Sequence, residues 1–411
     1  MSRRCPCHLG FGLGYGAVWF FSPVAEMPQF PRVANASLAL SDSVYSKIRR
    51  SDSASSPIPL HVGDTWMEPA LGCRMQDLTV ESHPGLHRYS PVPGLPELRS
   101  AIAEHHAARA VVETGPSNVI VTAGATAGLA AAVGALVSPS ESVLLAAPYW
   151  PLIAGSLRAF NAEPIDVALM TDCQSAEDAV ARFEAARRPN TVAVYWNTPH
   201  NPTGRLLPPE WLAPLVEWAR AHDLWIFADD VYEDYVYEGE HVYTRALAPE
   251  RTISVHSFSK SYGMAGNRCG YLVGPNESMA AIRRIMTNIN YSACTASQFA
   301  ALNALGEGGQ EWVARAREQY AEIGAWAAER LGVSAPAGST FLFLDVASAL
   351  SDARPDDDLS TLLQALADQG VLVAPGPSFG PYPDHIRVCF TATEPARTRK
   401  GIDTLARMLG R

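Results

Sequence analysis

Residues 256–271 read HSFSKSYGMAGNRCGY. One lysine, Lys260, stands among small hydroxyl residues, and Arg268 follows eight positions later. Surface lysines usually sit among other charges. This one follows the apolar run RTISVHSF, which reads as a buried strand, and it is followed by glycines and a methionine. A lysine at the end of a buried strand points to chemistry more than to solubility.

Working outward, strand-length apolar runs alternate with segments of helical period. The runs are NVIVTAG, SVLLAAP, VAVYWNTP, LWIFADD, TISVHSFS and CGYLVG. Between them, TAGLAAAVGALV and PPEWLAPLVEWARAHD predict helices. In the second, Trp211, Leu212, Leu215, Trp218 and Ala219 fall on one face. Continuous apolar strands separated by helices imply an α/β fold with a mainly parallel sheet covered on both sides. Such sheets take ligands at the carboxyl ends of their strands. A long helix near 310–332 then leads to a smaller α+β unit containing STFLFLDV, LSTLLQALADQG, HIRVCFTA and a terminal helix. The expected division is an extension over 1–27, an arm over 28–59 joining the small unit, a large domain over 60–305, and a small domain over 306–411. RRSDSASSPIP, residues 49–59, is the polar connector.

Composition narrows the function. The 411 residues are 47% hydrophobic and 18% charged, which suits a globular protein with an extensive core. A net charge of −10 argues against nucleic acid or an anionic membrane as partner, so a bound anion needs a few local donors. Seven scattered cysteines form no CxxC, so neither a zinc ribbon nor a disulfide framework is signalled, and the pattern suits free thiols in a reducing cytoplasm. The start, MSRRCPCHLGFGLGYGAVWFFSPVAEM, has a basic beginning and an apolar middle too short to span a bilayer. It is read as a disordered extension, or as a start preceding the true one at Met27. Its glycines at 10, 12, 14 and 16 do not make GxGxxG and follow no strand.

The polar exceptions cluster at strand ends. Asp229 closes the run in WIFADDVYEDYVY, where a buried carboxylate needs a cation to meet it, and Tyr232 follows. NTPHNPTG, residues 197–204, forces a turn that sets amides at the sheet edge. TAGATAG, residues 122–128, opens a helix whose N–H groups and Thr126 hydroxyl suit a phosphate. Taken singly, each also fits a plain cap, turn or helix–sheet contact. Together they supply an amine, a carboxylate, a phenol, an amide, an anion cradle and a guanidinium. That set fits pyridoxal phosphate: an amine for its aldehyde, a carboxylate for its ring nitrogen, donors for its hydroxyl and phosphate.

With these residues in view, the chain from about residue 60 to the C-terminus resembles the fold-type I pyridoxal-phosphate aminotransferases of class I/II, related to aspartate and aromatic aminotransferases. The resemblance implies that Lys260 is the Schiff-base lysine and the base that moves the substrate proton. It implies that Arg268, Ser257, Ser259, Ala125 and Thr126 hold the phosphate, and that Asp229 meets the pyridine nitrogen. Tyr232 and Asn201 match the pair on the ring hydroxyl, and Trp150 in APYWP matches the aromatic stacked on the ring. Arg387 in HIRVCFTA matches the arginine that grips the substrate α-carboxylate, with Gly63 in LHVGDTW beside it and Asn201 and Trp150 near it. Tyr89 in HRYSPVPGLPELRSAIA matches a tyrosine that reaches the neighbouring subunit's phosphate, which implies a homodimer with shared active sites.

The same resemblance bears on substrate. Dicarboxylate-specific relatives add an arginine in the segment matching TNINYSACTASQ, or a lysine at the position of Thr126. This chain has neither, and offers Asn290, Tyr291 and Ser292 instead. A neutral, polar or aromatic amino acid is therefore expected, with a 2-oxo acid as acceptor. The alternative is another reaction of the same cofactor, such as β- or γ-elimination or a biosynthetic oxidation or cyclisation, since one scaffold hosts several chemistries. A non-catalytic cofactor sensor is disfavoured because no helix-turn-helix precedes the fold.

Overall fold

The structure, a computed structural model, describes residues 57–351 and 359–411 together with Ser37 and Leu40. The expected extension over 1–27, nearly all of the 28–59 arm, and Cys5 and Cys7 lie outside the described residues.

Seven strands form the main sheet: β1 Val119–Thr122, β2 Ser142–Ala147, β3 Glu163–Ala168, β4 Thr191–Asn197, β5 Trp225–Asp229, β6 Thr252–Ser257 and β7 Gly270–Val273. Their order is β1-β7-β6-β5-β4-β2-β3. The chain belongs to the α/β class, as its pattern predicts. β1, β2, β6 and β7 are buried at every residue, and β4 and β5 at nearly every one, so β-branched and aromatic side chains fill both faces. One face packs under the helices Gly124–Leu136, Pro151–Ala159 and Asn276–Ile289, around Leu129, Ile153, Ile282, Phe227 and Val255. The other packs under Ala176–Ala186 and Pro209–Ala221, around Phe183, Trp196, Leu212, Leu215 and Ile226. In Pro209–Ala221 the expected face is buried at Leu212, Leu215, Trp218 and Ala219, while Trp211 is only partly covered.

Six strands match the apolar runs. β3, EPIDVA, is not among them because it is an edge strand whose residues are mostly half-exposed. β7 also differs in sense: it runs antiparallel to both β6 and β1, whereas β2 to β6 pair in parallel. Ser257 at the end of β6 therefore faces Gly270 at the start of β7.

The helix Glu307–Leu331, closed by Gly332 in the left-handed conformation, leads to a three-stranded sheet. Its strands are β8 Phe341–Asp345, β9 Ala374–Pro375 and β10 His385–Cys389, in the order β8-β10-β9. Trp312, Tyr320, Phe341, Phe390 and Leu405 pack here in one cluster with Phe258 and Tyr262 beside the lysine loop. Ile58 pairs with Val371 and accepts the N–H of Leu372 at 3.0 Å. Cys73, Cys173, Cys269 and Cys389 are buried free thiols, and Cys294 is an exposed one.

Candidate active site

Every parallel strand near the middle of the sheet ends at the same rim, and the reversal of β7 brings the residue before it to that rim as well. A cavity of about 240 Å³ opens there. Its wall includes twelve expected residues: Gly63, Ala125, Thr126, Trp150, Asn201, Asp229, Tyr232, Ser257, Ser259, Lys260, Arg268 and Arg387. The residue left out is Tyr89, which is 89% exposed and meets the ring of Tyr291 edge-on at 5.2 Å.

Lys260 lies in a single helical turn, Phe258–Ser261, whose first N–H groups are capped by Ser257: Ser259 N–H donates to Ser257 Oγ at 3.1 Å. The Lys260 ammonium donates to the carbonyl of Gly63. Burial pushes its pKa down, with Arg387 and Arg268 acting the same way and Asp64 opposing them. A Cβ at Gly63 would come within 2.7 Å of the Phe341 ring, so the backbone passes closely here.

Arg268 adopts the left-handed conformation at φ 53°. Its Nη1 donates to the Ala265 carbonyl at 2.8 Å and to Ser259 Oγ at 3.3 Å. The guanidinium lies over Gly124, which has φ +79° and where a Cβ would collide with Nη2. A Cβ at Gly270 would meet the Ala125 nitrogen at 2.7 Å. The glycines thus let a guanidinium, two serine hydroxyls and the first N–H groups of helix Gly124–Leu136 converge on one small volume. That is a donor set for a phosphate dianion.

Asp229 sits buried on the wall of the same cavity. Burial raises its carboxyl to about 6, helped by the adjacent Asp230 and opposed by Tyr195 and the Val231 N–H. Tyr195 Oη donates to Asp229 Oδ2 at 2.6 Å, whereas the Val231 N–H reaches Oδ1 only at 3.4 Å. The 197–204 turn is locked onto the same strand end. Asn197 Nδ2 donates to the Asp229 carbonyl at 2.7 Å, and the Asn201 N–H donates to Asn197 Oδ1 at 2.6 Å. Inside the turn, buried His200 is held neutral, its pKa lowered to about 3 by burial, and it pairs with Thr203 at 2.8 Å.

Arg387 comes from β10 in the second sheet. Its Nη1 donates to Asn201 Oδ1 at 3.0 Å and its Nη2 to the His61 carbonyl at 2.6 Å. The guanidinium is sandwiched between Phe341 at 4.3 Å and Phe379 at 4.8 Å. Sequence reasoning missed Tyr195, Asn197, Phe341 and Phe379. For Tyr195 a signal existed: it sits two residues before Asn197 on a strand, hence on the same face.

A family model described as aminotransferase class I and II matches residues 64–405. The chain belongs to that family. An aspartate/prephenate aminotransferase from Thermus thermophilus is 32% identical over 334 residues, 80% of this chain and 84% of that one. An arginine–pyruvate transaminase from Pseudomonas aeruginosa is 31% identical over 377 residues, 87% of this chain and 91% of that one. Among solved structures, the N-succinyldiaminopimelate aminotransferase from Mycobacterium tuberculosis superposes with a TM-score of 0.78 at 28% identity, covering 86% of this chain and 93% of that one. The protein is thus an aminotransferase, and the cofactor of its family is pyridoxal phosphate. The site fits that group: a buried amine, a buried carboxylate, a flat indole and a glycine-floored anion cradle line one cavity.

Proposed function

We propose that this aminotransferase works on a neutral, polar or aromatic amino acid with a 2-oxo acid as acceptor. The observation that carries the substrate class is the inventory of cations: among the described residues, Lys260, Arg268 and Arg387 are the cationic side chains on the cavity wall. Each has a task in the reading below, so this chain's own wall leaves no cation for a second substrate carboxylate. The relatives' names span aspartate, prephenate, arginine and N-succinyldiaminopimelate, so the pocket has to decide.

When bound, pyridoxal phosphate supplies an aldehyde for the amine and a ring that accepts electrons. Lys260 Nζ would anchor it, then carry the proton taken from the substrate Cα; burial lowers its pKa, which favours the neutral amine that task uses. Arg268, Ser257, Ser259 and the N–H groups at Ala125 and Thr126 hold the phosphate. Asp229 holds the proton on the ring nitrogen, Trp150 covers a ring face, and Tyr232 and Asn201 direct donors at the ring hydroxyl. Arg387, flattened between two phenyl rings, offers its fork to the α-carboxylate beside Gly63.

The same reading puts Tyr89 in the neighbouring subunit's site and makes the protein a homodimer. It is supported by the exposure of Tyr89 and of Tyr291, 89% and 45%, on a pair left uncovered within the chain. Large and small domains over 60–305 and 306–411, with the arm joining the small one, are supported by the pairing of Ile58 with Val371. A cytoplasmic location is supported by the free thiols.

The test is a panel of single amino acids added to the cofactor-loaded protein, following the visible absorbance and the keto acid formed. A neutral or aromatic amino acid should outrun aspartate and glutamate in kcat/KM by about a hundredfold, the scale of an unmet buried charge. Aspartate as the fastest donor would sink the substrate class. Accumulation of pyruvate and ammonia with the absorbance unchanged would move the site to elimination.

Gly124 offers a separate check on the phosphate cradle. Gly124→Ala is expected to strain the backbone by about 1–2 kcal/mol and to displace Arg268, weakening cofactor affinity by about tenfold or more. Absorbance titration of the cofactor-free variant measures this, and an affinity equal to that of the parent would remove Arg268 from the cradle.

A further inference from the structure

Tyr195 is not on the cavity wall, yet its hydroxyl makes the shortest hydrogen bond to the Asp229 carboxylate, at 2.6 Å. The sheet register sets this up. β4 and β5 run parallel, with Tyr195 opposite Phe227 and Asn197 opposite Asp229. Residues two apart share a face, so Tyr195 stands directly beneath the carboxylate while Asn197 closes the backbone above it. Burial keeps the tyrosine protonated far beyond neutral pH. It is therefore a permanent donor and Asp229 the acceptor. With Oδ2 taken, Oδ1, which meets only a long contact from the Val231 N–H, is the oxygen open to a cation.

We infer that Tyr195 is a positioning residue for the reaction: it fixes the Asp229 carboxylate from below and keeps it ionised, so that the oxygen left open meets the protonated ring nitrogen of the cofactor. This rests on the assignment of Asp229 to that nitrogen. The electrostatic surroundings make such support necessary. Asp230 follows Asp229 directly and adds like charge, and Tyr232 adds none at neutral pH. On β6, Val255 stands opposite Asp229, and the next residue, His256, acts on the carboxylate only through its charge and is engaged with Glu233 at 2.8 Å. The cavity cations Lys260, Arg268 and Arg387 lie on the wall with other partners. Tyr195 is the group bonded to the carboxylate itself, and a hydrogen bond to a charged group is worth about 10- to 100-fold in an equilibrium.

The experiment uses Tyr195→Phe, which deletes one oxygen and keeps the ring in the core, in the cofactor-loaded full chain. Three readouts are expected to move together. Cofactor affinity weakens about tenfold. The acid limb of the kcat/KM profile shifts up by about one pH unit, because a more readily protonated Asp229 is lost earlier as pH falls. kcat falls about tenfold or more while KM changes little. The same change is then made in Asp229→Asn, where it should have no further effect on affinity or on the acid limb. A purely structural tyrosine would lower thermal stability equally in both backgrounds and leave affinity and pH profile in place; that result overturns the inference. If Asp229→Asn alone leaves affinity and turnover intact, the assignment of Asp229 fails instead, and the inference with it.

Discussion

Lys260→Ala is expected to lower turnover by about 10⁴-fold, because in the proposed reading it removes both the covalent anchor and the proton carrier. The cofactor should still bind through the phosphate cradle, so the protein remains loaded, but gel filtration should strip it and the visible band of lysine-bound cofactor should be gone. Stability gives an independent sign. Burial lowers the Lys260 pKa, so its ammonium is strained in the cofactor-free fold. The folded state binds that proton less readily than the unfolded chain, so this group costs stability below its folded pKa, and the cost fades as pH rises. The cofactor-free alanine variant should therefore melt no lower than the parent at neutral pH. Turnover within tenfold of the parent would remove Lys260 from the chemistry.

Arg387→Leu should act on substrate capture. Loss of a buried charge-assisted pair costs about 2–5 kcal/mol, so kcat/KM should fall about 30- to 5,000-fold, chiefly through KM. The loss should be selective: an amine lacking the α-carboxylate should be processed equally by variant and parent. Arg387→Lys should recover little, since a point charge between Phe341 and Phe379 cannot present two parallel donors. An unchanged KM, or an equal loss for the amine, would place the carboxylate elsewhere.

The core of the sheet and the inner ring of the cavity were legible in the sequence for one reason. Continuous apolar strands leave few polar residues, and Asp229, Asn201, Ser257 and Lys260 stand out where those strands stop. What escaped has an equally physical cause. β3 carries Glu163 and Asp166 because an edge strand meets water, so its apolar signal is weak. The reversed sense of β7 leaves no mark on a run buried on both faces. Tyr195 read as one more core aromatic, since its hydroxyl acquires meaning only when β4 is laid beside β5 in register. The phenyl sandwich on Arg387 joins β8 to a turn near residue 379, a contact that sequence order does not suggest.

The antiparallel return of β7 freezes the length of the loop spanning residues 258–269. Its two ends are fastened by the pairing of Ser257 with Gly270, and between them it brings both Lys260 and Arg268 to the wall of one cavity. Adding or deleting a single residue there would shift Lys260 and Arg268 relative to each other on that wall while the fastened ends stay in place. In the reading proposed above, the interval between lysine and arginine in the opening stretch therefore decides which two ends of one bound cofactor a single loop can grip.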